Sequence, residues 1–274
     1  MKKLLIFSAL VIGGASAGLF AIEGWNYTGF ENAMKQAGRP TGLSSKDFAR
    51  IENERERAAK EVESYLKSKF GKADPAIVSA FRSLPRECYT FNYDSKKNLP
   101  LQAYAVPARP MPIGFGSALS DYLGQAYMTQ ICQPKPTDVV LEIGTGSGFQ
   151  ISWLSKIVKE AYSIEIIKPV GEGVKSIFQP LGLKNVQTRV GDGFYGWPEV
   201  KDGFDIIIVT CAAQYVPPAL LAQLKKGGRM IIPIGQPYKK GQFFYLYTKD
   251  DQGRIHSRKD VGCYFVPMTG TMMS

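Results

Sequence analysis

The sequence predicts an α/β protein with a doubly wound, mostly parallel sheet and an N-terminal helical extension. Three observations predict it. From residue 138 onward, short apolar and β-branched runs alternate with stretches of helical spacing. One run, Asp205 to Thr210, is almost continuously apolar, as a parallel strand buried on both faces must be. A glycine loop, Gly144-Thr145-Gly146-Ser147-Gly148, separates the first run from the first helical stretch. The chain has 274 residues, 45% hydrophobic and 21% charged, which excludes a disordered chain, a polytopic membrane protein and a collagen-like fibre. A chain of this length buries a large core without disulfide or metal staples.

At the N-terminus, Lys2 and Lys3 precede an uncharged run from Leu4 to Ile22. Ala15-Ser16-Ala17 before Gly18 fits a cleavage site, so residues 1–22 read as a secretory signal peptide. The alternative is an uncleaved anchor, since nineteen residues of helix span roughly 28 Å. The lysines predict the N-terminus inside and the body outside, in the periplasm or held at the inner membrane. Residues 23–45 show no clear period and read as a linker. From 46 to 70, Phe48, Ile51, Ala58, Val62, Tyr65, Leu66 and Phe70 recur at three- and four-residue steps among charged residues, predicting an amphipathic helix. Ser44 or Ser45 is its N-cap and Gly71 ends it. Asp74-Pro75 opens a second short helix reaching about Leu84. The divisions are therefore 1–22, an extension over 23–75, and the main domain over 76–274.

In the main domain, strands are predicted at Val139 to Ile143, Tyr162 to Glu165, Val186 to Val190, Asp205 to Thr210, Arg229 to Pro233, Phe243 to Tyr247 and Tyr264 to Val266. Helices are predicted at Phe149 to Val158, 170–181 and Pro218 to Leu224. The ligand of such a fold lies at the carboxyl ends of the strands near the switch point.

The residue inventory excludes several chemistries. His256, the single histidine, lies in a polar, turn-like stretch, so neither a Ser-His-Asp triad nor a multi-histidine metal site is expected. Cys88, Cys132, Cys211 and Cys263 show no CxxC spacing. Export would permit a disulfide without naming the pair. The 34 Lys+Arg against 24 Asp+Glu give a formal charge of +10, but the charge is scattered and lacks a stacking-aromatic motif, so nucleic acid is not the expected partner.

Three elements in order on successive strands read as a nucleoside site. The first is strand–GxGxG–helix, which brings bare backbone and helix N–H groups to a ligand; Phe149 occupies the place where a dinucleotide fingerprint needs a third small residue, and no GKS or GKT follows. The second is Glu165, 21 residues after Gly144, an acid placed to accept both ribose hydroxyls. The third is Gly191-Asp192-Gly193, where an acid can bond an adenine amino group between glycines that admit a flat ring.

VLEIGTGSGFQ, SIEIIK, NVQTRVGDG, FDIIIVTCAA, LKKGGRMIIPIG and FVPMTG, with Leu84-Pro85-Arg86-Glu87 ahead of them, together resemble the protein-L-isoaspartate (D-aspartate) O-methyltransferases over about residues 60–270. The resemblance implies a Rossmann-like class I methyltransferase that uses S-adenosyl-L-methionine and no metal. It implies that Gly144, Gly146 and Gly148 surround the methionine part of the donor. Glu165 would hold the ribose, Asp192 and Gly193 would flank the adenine, and Glu142 and Thr145 would complete the donor site. The implied acceptors are proteins or peptides bearing isoaspartyl residues, and the implied protein is a monomer. A cytosolic donor implies a cytoplasmic body, opposite to what residues 1–22 imply; residues 4–22 would give any membrane association.

The family carries Ile-Gly-x-Gly-x-Thr-Ile-Ser and then, after one residue, proline. Here the segment reads Ile113-Gly114-Phe115-Gly116-Ser117-Ala118-Leu119-Ser120-Asp121-Tyr122. Serine remains at 120, the threonine is Ala118, and the proline is absent. The implied catalytic residue is Ser120, donating a hydrogen bond to orient the acceptor, with a second role as N-cap of a helix from about Tyr122. Asp121 adds negative charge where a carboxylate would dock. Two alternatives to isoaspartyl repair stay open: a different methyl acceptor, or an envelope protein that kept the fold without turnover. Methylating a carboxylate is an in-line displacement by a group ionised at neutral pH, so no general base is required.

Overall fold

The computed structural model describes residues 25–236, 239 and 241–273. The expected signal or anchor at 1–22 lies outside the described residues. Among those described, no helix is long and apolar enough to cross a membrane.

Two helices come first among the described residues: α1 over Tyr27–Gln36 and α2 over Ser45–Phe70. The first corrects the linker reading of 23–45. Asn26 caps it by accepting from the Gly29 amide, and Phe30, Ala33 and Met34, three and four apart, turn into the core. For α2 the cap is Ser44, whose hydroxyl accepts from the Asp47 amide, and Gly71 closes it in the left-handed region at φ 74°. Asp74 caps α3, Pro75–Arg82. A hairpin of β1 (Met111–Gly114) and β2 (Ser117–Leu119) follows, then α4 (Tyr122–Cys132).

The sheet proper begins with β3 (Val139–Ile143) and continues through α5 (Phe149–Ser155), β4 (Glu160–Glu165), α6 (Lys168–Gly173), α7 (Lys175–Phe178) and β5 (Val186–Val190). Next come β6 (Phe204–Val209), α8 (Pro218–Gln223), β7 (Leu224–Ile234), β8 (Gln242–Lys249) and β9 (Ile255–Cys263). The spatial order is β5-β4-β3-β6-β7-β8-β9. The first five are mutually parallel, and β8 runs antiparallel to both neighbours. The chain leaves β3 first toward β4 and later toward β6, which puts the switch point at the carboxyl ends of β3 and β6.

Successive side chains of a strand point to opposite faces, and here both faces are covered. Val140, Ile206, Ile208 and Ile231 join the helical layer of α1–α7; Leu141, Ile207, Val209, Met230 and Ile232 join α8 and the C-terminal Met268 and Met272. That is why these strands read as continuous apolar runs. The extension is not a separate body: Phe30, Met34, Phe48 and Ile51 belong to the same cluster as Phe149 and Trp153.

The C-terminal third departs from the sequence reading. His256 is in strand β9, not in a loop; residues 250–253 make the turn. An edge strand pairs through its backbone and needs no apolar face, so its charged sequence hid it. Tyr264 to Val266 is not a strand of the sheet. It leads into a crossing segment in which Met268 donates to the Ala212 carbonyl and Ala212 to that of Val266, both at 2.8 Å. All four cysteines are free.

Candidate active site

At the switch point, β3 ends in Ile143 and the chain turns through Gly144 and Gly146, at φ 98° and 51°, conformations that glycine adopts without a Cβ penalty. The cavity above this turn is walled by the glycine loop, the end of β4, the β1–β2 hairpin with Ser120, Thr210-Cys211 after β6, and Val266–Thr269 of the crossing segment. Of the residues implied by the resemblance, Ser120, Glu142, Gly144, Thr145, Gly146, Glu165 and Gly193 line it.

Glu165, 4% exposed, braces the loop. Its Oε2 accepts from the Gly146 amide at 2.8 Å and its Oε1 from the Ile167 amide at 2.9 Å. Burial pushes its carboxyl above the ordinary range, opposed by the amides of Ile167, Gly146 and Ile166. Glu142 is fully buried; its Oε2 accepts from the Ser163 hydroxyl at 2.5 Å, while its Oε1 has no partner among the described residues. Burial drives this carboxyl well above the usual range, the Ser163 hydroxyl pulls it back and the Glu165 charge adds to the rise. Thr145 and Ser163 share a hydroxyl contact of 2.6 Å. Gly193 packs so tightly that a Cβ there would lie 2.3 Å from Ile143 Cγ2.

Gly148 and Asp192 do not line the cavity. Gly148, at φ 84°, starts α5 with its back to the ligand space: a Cβ would fall 2.6 Å from Val174 Cγ2 and 2.9 Å from Phe178 Cε1. Its absent side chain serves helix packing. Asp192 accepts from the amides of Phe194 and Thr271, at 2.9 and 2.8 Å. Burial would raise its carboxyl, but the Thr271 and Phe194 amides hold it below the usual range. It ties the GDG turn to the C-terminal segment, where Gly270, at φ 78°, would put a Cβ 2.6 Å from Asp192 Oδ2.

The acceptor segment also differs from expectation. Asp121, not Ser120, caps α4, its Oδ1 accepting from the Gly124 amide at 2.7 Å. Asp121 does not line the cavity, so its charge serves a helix N-terminus rather than opposing a docking carboxylate. Ser120 is fixed by Arg86, whose Nη2 donates to the Ser120 carbonyl at 2.5 Å, Nη1 to Gln125 Oε1 at 2.8 Å and Nε to the Ala103 carbonyl at 2.9 Å. Burial lowers the Arg86 pKa to about 10, leaving it charged at neutral pH.

Gln125, Gln150 and the crossing segment are cavity residues that site reasoning from the sequence missed. Gln150 Nε2 donates to Thr129 Oγ1 at 2.9 Å, and its Oε1 has no partner among the described residues. The signal for the crossing segment was present in FVPMTG, which the sequence singles out without placing it.

The sequence model of the protein-L-isoaspartate (D-aspartate) O-methyltransferases matches residues 57–273. The chain belongs to this family. A protein-L-isoaspartate O-methyltransferase of Nitrosospira multiformis is 47% identical over 170 residues, covering 62% of this chain and 71% of that protein. Another, of Syntrophobacter fumaroxidans, is 42% identical over 197 residues, covering 72% and 76%. A solved protein-L-isoaspartate O-methyltransferase superposes with a TM-score of 0.68 at 27% identity over 80% of this chain and 67% of that one. A Plasmodium falciparum structure of the same family name, in complex with S-adenosyl-L-homocysteine, shares the fold at a TM-score of 0.62 and 21% identity, over 77% and 98% of the two chains.

Proposed function

We propose that the protein transfers the methyl group of S-adenosyl-L-methionine to the free carboxylate of L-isoaspartyl or D-aspartyl residues in damaged proteins. The observation that carries the donor assignment is the buried Glu142 Oε1, without a partner among the described residues, on the wall of a cavity that also presents the paired oxygens of Glu165. A buried acceptor without a donor calls for a ligand N–H or a bridging water. The residues present therefore fit a cationic nucleoside donor, which supplies an electrophilic methyl when bound.

The chain's own residues do four things. Gly144 and Gly146 let the ligand approach the backbone closely. Each Glu165 oxygen keeps a lone pair for a ribose hydroxyl beyond the amide it already holds. Gly193 seats the GDG turn against Ile143 at the cavity wall, and Asp192 fixes the C-terminal segment beside it. Ser120, carried by Arg86, directs its hydroxyl to the acceptor carboxylate. The methyl ester of an isoaspartyl residue then closes to a succinimide without the protein's help, the following backbone amide nitrogen attacking the ester carbonyl, losing its proton and releasing methanol.

The test is methyl transfer from labelled donor to an isoaspartyl peptide and its aspartyl twin. Base-labile label on the isoaspartyl peptide alone, at least tenfold reduced in Ser120→Ala as expected for a lost hydrogen bond to a charged group (~1.5–3 kcal/mol), supports the proposal. No label on either peptide sinks it. Residues 4–22 are proposed to deliver or hold the chain at a membrane, with the monomer as the working unit. Full-length, unprocessed chain found wholly in the soluble fraction of cells contradicts the first part, and a dimer mass by light scattering the second.

A further inference from the structure

A side chain of the N-terminal extension holds the helix that borders the donor cavity. Arg39 lies in the α1–α2 connection, upstream of residue 57 where the family match begins, and is only 6% exposed. Its guanidinium donates to the Cys88 carbonyl at 3.3 Å, the Tyr93 hydroxyl at 3.2 Å and the Gly173 carbonyl at 3.0 Å. It also lies over the rings of Phe91 and Tyr93, at 5.0 and 5.6 Å from their centres. Gly173 ends α6, and its carbonyl accepts from Arg39 and from the Ser176 hydroxyl at 2.9 Å, so Arg39 ties the end of this helix to the extension.

The other end of α6 shapes the donor cavity. The Ile167 amide, which enters α6, donates to Glu165 Oε1, and Ile166 and Ile167 line the cavity. Along its length the helix is pressed on the same carboxylate's stem: a Cβ on Gly171 would lie 3.0 Å from Glu165 Cβ and 2.9 Å from Val190 Cγ2. At its far end a Cβ on Gly173 would lie 2.7 Å from the Tyr93 ring. The helix is six residues long and is clamped between Glu165 at one end and the Arg39–Tyr93 pair at the other. A planar fork serves three acceptors at once, which an ammonium on a flexible stem does not do in the same geometry.

We infer that Arg39 is a positioning residue for the donor site, fixing α6 and through it the Glu165 carboxylate and the Ile166–Ile167 wall. The N-terminal extension is then a working part of the donor-binding unit. The inference rests on reading this cavity as the donor site, and the experiment separates the two. In the full chain, Arg39→Lys and Arg39→Met weaken S-adenosyl-L-homocysteine binding by about tenfold in calorimetry, because small misplacements of a binding group carry costs of that order. Donor KM rises in step, while kcat at saturating donor and acceptor KM hold within about twofold. Amide exchange rises selectively over residues 166–173. Tyr93→Phe, which removes only a hydroxyl, gives a smaller loss of about threefold and keeps the measurement informative where an Arg39 variant fails to fold. Arg50→Gln, on the exposed face of α2, changes none of these. A lowered melting temperature with wild-type donor affinity in Arg39→Lys and Tyr93→Phe overturns the inference. A wild-type chain without affinity for S-adenosyl-L-homocysteine overturns the donor-site reading beneath it.

Discussion

Replacing Glu165 by glutamine is the sharpest probe of the donor site, because the carboxylate has two duties and the amide can perform only part of each. In the folded chain Oε2 accepts from the Gly146 amide and Oε1 from the Ile167 amide. Glutamine offers one acceptor oxygen and one NH2, so one backbone amide faces a donor. The ribose diol loses at least one charged acceptor. A hydrogen bond to a charged group contributes about 1.5–3 kcal/mol, so the loss of one predicts roughly a 10- to 150-fold rise in Kd at 1.4 kcal/mol per decade. The unliganded fold changes less, because neutralising a carboxylate whose charge burial already disfavours offsets part of the amide mismatch. The assay is titration calorimetry with S-adenosyl-L-homocysteine alongside thermal melting. A Kd within twofold of wild type, with an unchanged melting temperature, refutes the ribose assignment. A large melting loss with little change in Kd assigns Glu165 to the fold alone.

Two further outcomes follow from the same geometry. The Glu165 pKa is raised in the folded chain, and its ionised form is the one that accepts ribose hydroxyls, so donor affinity falls as pH drops. The loss begins above the pH at which an ordinary glutamate, near ~4.3, would protonate. For the unliganded fold the sign is opposite: a raised pKa adds stability below the unfolded value and loses it as pH rises through the folded one. Calorimetry carried from pH 7 down through the ordinary glutamate range checks the binding arm, and an affinity that holds until below ~4.3 contradicts it. Gly148→Ala is expected to cost about 2–4 kcal/mol in urea denaturation, from a left-handed alanine and the overpacking of Val174, while leaving donor KM in the surviving fold unchanged. A raised donor KM with normal stability would return Gly148 to the donor site.

Most of the parallel core was legible because strands buried on both faces cannot hide their apolar runs, and the loop acids sit at fixed offsets from them. Glu165 and Gly193 both line the cavity at the switch point, although the bare face of Gly193 is turned to Ile143. What was not legible depends on partners distant in sequence. Gly148 looks like Gly146 in the sequence, but it faces Val174 and Phe178, which sequence spacing cannot reveal. Asp192 looks like a ligand acid, yet it holds the Thr271 amide 79 residues away. The helix at 27–36 has only one turn's worth of buried contacts and a glycine near its start, so its period was too short to stand out.

The altered acceptor segment keeps its cavity face because Tyr122 and Asp121 both point elsewhere. Tyr122 stands where the family has proline, but it is 1% exposed, and its hydroxyl donates to Glu61 Oε2 of α2 at 2.7 Å. Its ring lies beside the Arg86 guanidinium, 5.6 Å from centre to carbon. Asp121 is held by the first turn of α4. Both new side chains thus strengthen the seat from which Ser120 is presented, one through α2 and one through α4, and neither reaches the ligand space. Ala118 is different. It stands on the cavity wall, opposite the glycine loop, where its carbonyl would lie 3.7 Å from a Cβ on Gly146. A threonine hydroxyl is missing from that wall, while the hydroxyls of Ser117 and Ser120 remain on either side of it. Of the altered positions 118 and 122, residue 118 is the one on the cavity wall, and the charge of Asp121 is committed to the first turn of α4.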